Sequence, residues 1–443
     1  VRLGLEWNDN KAQQTAKDAY DRLFNLKWTP PGRGLWMMGT KFVEERTGAA
    51  LFNCAFRSTQ DLSSKGGYIF AWVMDALMVG VGVGFDTKGA GTLNIKEPVY
   101  TNDTLVIDDS REGWVDSVHL LLDGFFLGGK VPKFDYSAIR PEGAPILGFG
   151  GTSSGAGPLI ELHNNLKELF ADKIGEQITS VDIVDVENLI GRCVVAGNVR
   201  RSAALAIGQY DDFRYLEMKN DQEKLYHHRW GSNNSFNAEV GMDYSWHANQ
   251  SQTNGEPGYI WLENAKAYGR MKDGENYDDI EVMGFNPCVE QSLHNAEMCC
   301  LVETFPAKHD DYEDYLRTLK CAYLYGKTVT LVNTHWPETN AKMLKNRRIG
   351  LSQSGIVQAF NKHGRREMLE WCDNAYTHIN ELDTEYSNWL CVPNSIKMTS
   401  IKPSGTVSLL NGSTPGIHFP EDEYYIRRIR FSKSSQILKT LEK

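Results

Sequence analysis

Residues 285–306, FNPCVEQSLHNAEMCCLVETFP, hold three of the eight cysteines of the chain. Cys288 has Asn286 two places before it and Glu290 two places after it, and Cys299 and Cys300 are adjacent. If NPCVEQSL runs as a loop or extended strand, residues two apart project to one side. Cys288 and Glu290 then face one space with Asn286 beside them. A thiol and a carboxylate in one pocket offer a hydrogen-atom or nucleophilic centre plus a base. The Asn286 amide both donates and accepts, which suits a sugar diol. The plainer reading of any one cysteine is packing, because free cysteine is among the most buried residue types. A structural metal needs about four soft ligands at suitable spacing, which these cysteines do not supply, so no metal site is expected.

Three further stretches could serve such a centre. Cys54, in LFNCAFRS, is a possible second redox cysteine. IKPSGTVSLLNGSTPGIHF carries a small polar turn with Ser404, Gly405 and Thr406. Such a turn opening a helix presents N–H groups and hydroxyls to a phosphate. In VGVGVGF, Gly82 and Gly84 would let backbone approach a ligand closely.

The elements that must position these residues are legible in outline. The chain has 443 residues, 41% hydrophobic and 23% charged, ordinary for a globular protein with a substantial core. Its net charge of −10 argues against a general nucleic-acid coat, since phosphate binding wants clustered Lys and Arg. The longest apolar run, residues 68–85, carries Asp75 near its middle and glycines at its end, so it reads as a buried helix and loop, not a membrane span. No signal peptide is visible, and the cysteines form no CxxC pair or disulfide framework, which points to a reducing, cytoplasmic setting. Helical patterns cover 9–28, 68–79, 157–174 and 180–197, the last with Ser180 as N-cap. Residues 86–110 read as a polar surface excursion. Short β-like runs recur as AALAIG, PGYIWL, KTVTLV, RIGLS and TVSLL. Helices alternating with such strands predict an α/β fold with much parallel pairing. The expected division is a helical segment over 1–50 leading into a core over 51–443, with no marked linker.

Read together and in order, LFNCAF, DSREGWV, IRPEGAPILGFGGTSSG, VVAGNVRRSAALAIG, KLYHHRWGSNNS, NGEPG, NPCVE, KNRRIGLSQSG and KPSGTVS resemble the catalytic subunit of ribonucleotide reductase. The resemblance is nearest to the adenosylcobalamin-dependent (class II) ribonucleoside-triphosphate reductases and runs from about residue 16 to the end. It implies a ten-stranded α/β barrel with a finger loop inside. It implies that Cys288 carries the thiyl radical, that Glu290 is the base on the ribose 3′ hydroxyl, and that Asn286 binds the substrate hydroxyls. Cys54 and Cys299 would be the reducing dithiol, with Cys300 next door as the competing choice. Ser404, Gly405 and Thr406 would hold substrate phosphate. Gly197, Asn198, Arg200 and Arg201 would form the specificity loop, with Gly150 and Gly151 in a neighbouring effector loop. The implied partners are a ribonucleotide, a deoxynucleotide effector, adenosylcobalamin, and thioredoxin or another dithiol, with neither nucleic acid nor membrane involved.

Two departures accompany the resemblance. Only residues 86–110 stand between the glycine-rich stretch and Arg111, where monomeric members carry a longer insertion, so the chain is expected as a monomer or a homodimer that supplies the missing surface. The last barrel strands and a cysteine-bearing tail do not follow residue 443, so the barrel is expected to be incomplete at its C-terminal side. The competing readings are a class I-type subunit activated by a ferritin-like partner, with Tyr424 and Tyr425 as a radical route, and an inactive nucleotide-binding remnant.

Overall fold

The computed structural model of the chain describes residues 9–146, 149–196, 202–424, 426, 428 and 437–441. Twelve strands run through the described residues: β1 (Trp28–Thr29), β2 (Cys54–Arg57), β3 (Gly82–Asp86), β4 (Val99–Val106), β5 (Lys130–Asp135), β6 (Ala204–Gln209), β7 (Ser232–Asn237), β8 (Gly258–Ile260), β9 (Gly284–Phe285), β10 (Ser292–Leu293), β11 (Glu297–Thr304) and β12 (Ile349–Gln353). Eight of them form one sheet in the order β1-β11-β2-β3-β6-β7-β8, with β12 also on β11. Strands β2, β3, β6, β7 and β8 are mutually parallel. β11 pairs antiparallel with β2 and parallel with β12. Two parallel sets thus meet antiparallel at β2/β11, and the sheet curls as the wall of an α/β barrel does. β3 is buried at all five residues and β11 at all eight, as strands covered on both faces must be.

The helices on the outside explain this burial. Tyr68–Met78 buries every residue but its first. Asp75, the one charge within it, is bound by Arg111 and lies 2.7 Å from His335 Nε2, which is how a carboxylate is tolerated there. No described helix is long and apolar enough to cross a membrane. Ser180–Val195 is capped by Thr179, not Ser180. The Thr179 hydroxyl accepts from the Asp182 N–H, and the Asp182 carboxylate accepts from the Thr179 N–H, a reciprocal capping box.

Two of the β-like runs form no strand and lie partly or largely in helices. KTVTLV ends the helix Tyr312–Val329, where Tyr315, Leu319, Ala322, Gly326 and Val329 recur at helical spacing on a buried face and buried Lys327 pairs with Asp383 at 2.9 Å. TVSLL contributes to the short helix Val407–Leu410, whose Ser408 N–H donates to the Ser404 hydroxyl. The excursion over 86–110 contains β4, which pairs in parallel with β5 across the helix Arg111–Leu127. β1, from the expected N-terminal segment, joins the main sheet on β11.

Candidate active site

The central feature is a two-stranded hairpin, β9–β10, laid against the main sheet. Its approach depends on missing side chains. A Cβ on Gly84 of β3 would collide with the Phe285 carbonyl, and one on Gly284 with the Phe56 ring. Gly82 faces Pro287 and Ala203. Gly82 and Gly84, expected beside a bound ligand, are thus spaced to admit the hairpin backbone.

The hairpin tip is Asn286–Gln291. Asn286 N–H donates to the Gln291 carbonyl, Gln291 N–H to the Asn286 side-chain oxygen, and Val289 N–H to the Asn286 carbonyl, each at 3.0 Å. Val289 has φ of +65°, a left-handed backbone that a β-branched residue rarely adopts. This turn presents Cys288 at an exposed tip and tucks Glu290 behind it.

The electrostatics tie these residues together. Desolvation, Glu290 and Cys54 push the Cys288 thiol up to about 12, and Lys402 opposes them. Burial raises the Glu290 carboxyl above its ordinary value, with Asn286 and Lys402 pulling it back. Both Glu290 oxygens and the Asn286 amide nitrogen are buried with no hydrogen-bond partner of normal geometry. Buried polar groups left open in this way call for a partner, and these lie beside the Cys288 thiol.

Beneath the tip lie the other cysteines. Cys54 and Cys299 are register partners across β2/β11. Cys299 is fully buried with Phe56 and Phe285, and the neighbouring Cys54 thiol together with burial raises it well above a free cysteine. Adjacent strand residues point to opposite faces, so Cys300 lies on the far side of β11. It packs in the main core against the carbonyls of Gly326 and Arg348. Geometry therefore separates two cysteines that their spacing left as alternatives.

A buried ionic cluster anchors the hairpin base. Arg348 forks onto Asp279 at 2.7 and 2.9 Å and reaches Glu297 at 3.1 Å; His294 meets Asp279 at 2.9 Å, and Lys397 meets it at 3.1 Å. Asp279 is held well below the usual carboxylate range by Arg348 and His294 despite its burial. Arg348 stands in the motif KNRRIGLSQSG, yet its partners are some 50 and 70 residues away and no local pattern pairs them.

The remaining candidates divide. Ser404 is buried with its hydroxyl donated to Glu303 at 2.8 Å, whereas Gly405 and Thr406 are exposed at the start of a helical turn. Gly150 and Gly151, both at φ of +86°, lie in the loop beside a cavity of about 600 Å³ whose walls include Arg46, Arg111, Trp114, Arg140 and Phe149. Gly197, Asn198, Arg200 and Arg201 lie outside the described residues, as does Tyr425; Tyr424 is exposed.

Comparison with known proteins gives these features a context. A model of the B12-dependent ribonucleotide reductase insertion domain matches residues 87–170, and one of the ribonucleotide reductase alpha domain matches 2–40. The insertion match runs well past Arg111, so the insertion is not confined to the short stretch 86–110. A probable adenosylcobalamin-dependent ribonucleoside-triphosphate reductase of Dictyostelium discoideum is 51% identical over 99% of this chain and 61% of its own length. The Euglena gracilis enzyme of that name is 47% identical over 100% and 61%. The enzyme of that name from Lactobacillus delbrueckii is 36% identical over 97% and 69%. The chain thus spans about three-fifths of the first two relatives. A crystal structure of a B12-dependent (class II) ribonucleotide reductase superposes with a TM-score of 0.83 at 32% identity, over 93% of this chain and 68% of that one.

Proposed function

Because the chain belongs to the adenosylcobalamin-dependent ribonucleoside-triphosphate reductase family, we propose that it reduces the ribose 2′ carbon of ribonucleotides, as triphosphates, to give 2′-deoxyribonucleotides. The observation that carries this reading is the open bonding capacity of Glu290 and Asn286 beside Cys288, stacked over the Cys54/Cys299 pair.

Each group has a task. Adenosylcobalamin, when bound, supplies the radical chemistry that oxidises the Cys288 thiol, which the exposed tip leaves reachable. Cys288 takes the 3′ hydrogen atom of the ribose and later returns it. Glu290 accepts the 3′ hydroxyl proton, and the free amide N–H of Asn286 donates to a substrate hydroxyl. Cys54 and Cys299 together give two electrons and two protons. The 2′ hydroxyl leaves as water, a hydrogen replaces it, and the two thiols become one disulfide. The exposed N–H groups of Gly405 and Thr406 suit a substrate phosphate. An external dithiol, thioredoxin or another, then regenerates the thiols by exchange.

The cavity beside Gly150 and Gly151 suits a deoxynucleotide effector: Arg46 for a phosphate, with Arg111 and Arg140 already paired to Asp75 and Asp109, and two aromatic rings for a base. The specificity loop Gly197–Arg201 begins just after two of its lining residues, Cys193 and Val194.

The test is deoxynucleotide formation by the full gene product with a dithiol, with and without adenosylcobalamin. Cobalamin-dependent product is the expected result. Activity only with a ferritin-like partner would keep the Cys288 chemistry and overturn the cofactor.

A further inference from the structure

Glu303 lies four residues beyond Cys299 on β11, so alternation puts both side chains on one face of that strand. It is buried, and two serines reach it from different stretches of the chain. Ser404 donates its hydroxyl to one carboxylate oxygen at 2.8 Å, and Ser354, just past β12, donates to the other. Both serines are fully buried. Each also accepts from a backbone N–H: Ser404 from that of Ser408 at 3.2 Å, Ser354 from that of Gly416 at 3.1 Å. The Ser408 hydroxyl closes the turn by donating to the Ser404 carbonyl at 2.8 Å. The Lys402 ammonium, 3.9 Å away, supplies a counter-charge. Two relays thus run from one carboxylate to both ends of the segment 404–416, and the exposed Gly405 and Thr406 lie between the tied Ser404 and Ser408.

We propose that Glu303 is a positioning residue for the substrate: through Ser404 it fixes the turn whose Gly405 and Thr406 N–H groups meet a phosphate. The inference rests on the reductase reading above and deepens it. The Ser404 hydroxyl is already spent, since its one proton goes to Glu303 and its oxygen accepts from Ser408. In this arrangement Ser404 anchors the turn and does not ligate the phosphate. A carboxylate suits the anchor because an ionised one only accepts. It obliges both hydroxyls to donate to it and to turn their lone pairs to the backbone. An amide in its place offers N–H to one serine, whose own proton then has no acceptor, and a buried donor left so is costly. The two hydroxyls and the ammonium offset the charge, so the turn keeps its affinity for an anion. One strand then carries a reducing cysteine and, about 13 Å further along, the anchor for the far end of the substrate.

The experiment follows reduction of a ribonucleoside triphosphate by the full gene product as wild type, Glu303→Gln, Ser404→Ala and the double variant, with inorganic tripolyphosphate as competitive inhibitor. In Glu303→Gln, KM and the tripolyphosphate inhibition constant both rise about tenfold, the size that loss of a charged hydrogen bond allows, while kcat stays within about threefold. Ser404→Ala raises both constants alike. The double variant is no worse than Ser404→Ala, because the two residues act in one chain. A merely structural role would cost active protein, and so kcat, and leave KM in place. An unmoved KM or inhibition constant in a folded Glu303→Gln protein, or effects that multiply in the double variant, overturns the proposal. Should Glu303→Gln fail to fold, Ser404→Ala decides alone: a joint rise of the two constants upholds the proposal and unchanged constants overturn it. A wild type that reduces no nucleotide brings down the reductase reading and this inference with it, whereas an active wild type with unmoved constants in the variants sinks the role of Glu303 alone.

Discussion

Cys54 and Cys299 sit directly opposite one another on antiparallel strands. Residues so paired have Cα atoms about 4.5–5.5 Å apart, inside the range a disulfide spans. Mild oxidation is therefore expected to link Cys54 to Cys299, detectable by peptide mapping under non-reducing conditions. Cys54→Ser should block repeated turnover driven by an external dithiol. Unchanged multiple-turnover rates would refute the pairing.

Cys300 offers the control. It faces the opposite side of β11 and serves only the core. Cys300→Ala is expected to cost about 1–2 kcal/mol in urea unfolding, as small core deletions do, with turnover retained. Loss of dithiol-dependent turnover in a folded Cys300→Ala protein would move the redox role to Cys300.

Cys288→Ser should abolish hydrogen-atom transfer from the 3′ carbon, since an alcohol O–H is far harder to oxidise than a thiol. Nucleotide binding, measured by calorimetry, should persist. Turnover in this variant would remove the radical assignment.

How far the sequence alone reaches can be judged from these same residues. Cys288, Glu290 and Asn286 are neighbours along the chain, so their shared space was readable from spacing. Cys54 lies 245 positions before Cys299, and only the strand order brings them together. The Cys299/Cys300 choice needed the facing of β11, which no composition reveals. KTVTLV is rich in β-branched residues yet forms no strand: its first three residues end a helix, where burial of one helical face and the Lys327–Asp383 pair outweigh local preference. The glycines of β3 were legible as a place of close approach, but not what approaches.

The Arg348 cluster predicts a stability effect. Replacing Arg348 with Met leaves Asp279 and Glu297 buried without their main counter-ion, and breaking a buried pair in this way costs about 3–5 kcal/mol. A lowered urea midpoint of that size is expected. A change below about 1 kcal/mol would show that the cluster does not hold the hairpin base.

Val289 gives a prediction of the opposite kind. Its left-handed backbone is strained by about 1–2 kcal/mol in a residue with a Cβ. Val289→Gly relieves that strain while adding about 0.5–1 kcal/mol of unfolded-state freedom. The two nearly cancel, so stability should change by less than about 1 kcal/mol even though a branched side chain is lost. A loss above about 2 kcal/mol would mean that the side chain, not the turn, carries the packing at the tip.

Glu290 closes the set, because its pKa sets a sign. Burial raises its folded pKa above the ordinary carboxyl value of 4.5. The folded protein then binds the proton more tightly than the unfolded chain, so this group contributes stability below pH 4.5 that is lost as pH rises through the folded pKa. Above the folded pKa the ionised, desolvated carboxylate is a local destabilisation. Glu290→Gln has nearly the same shape and no charge to desolvate. It should be more stable than wild type above that pKa, and the gain should vanish below pH 4.5, where both side chains are neutral. Urea unfolding of both proteins across this pH range checks the point. A gain that does not depend on pH would trace the effect to packing and not to charge, and turnover should be lost in the variant either way, since an amide cannot take the 3′ proton.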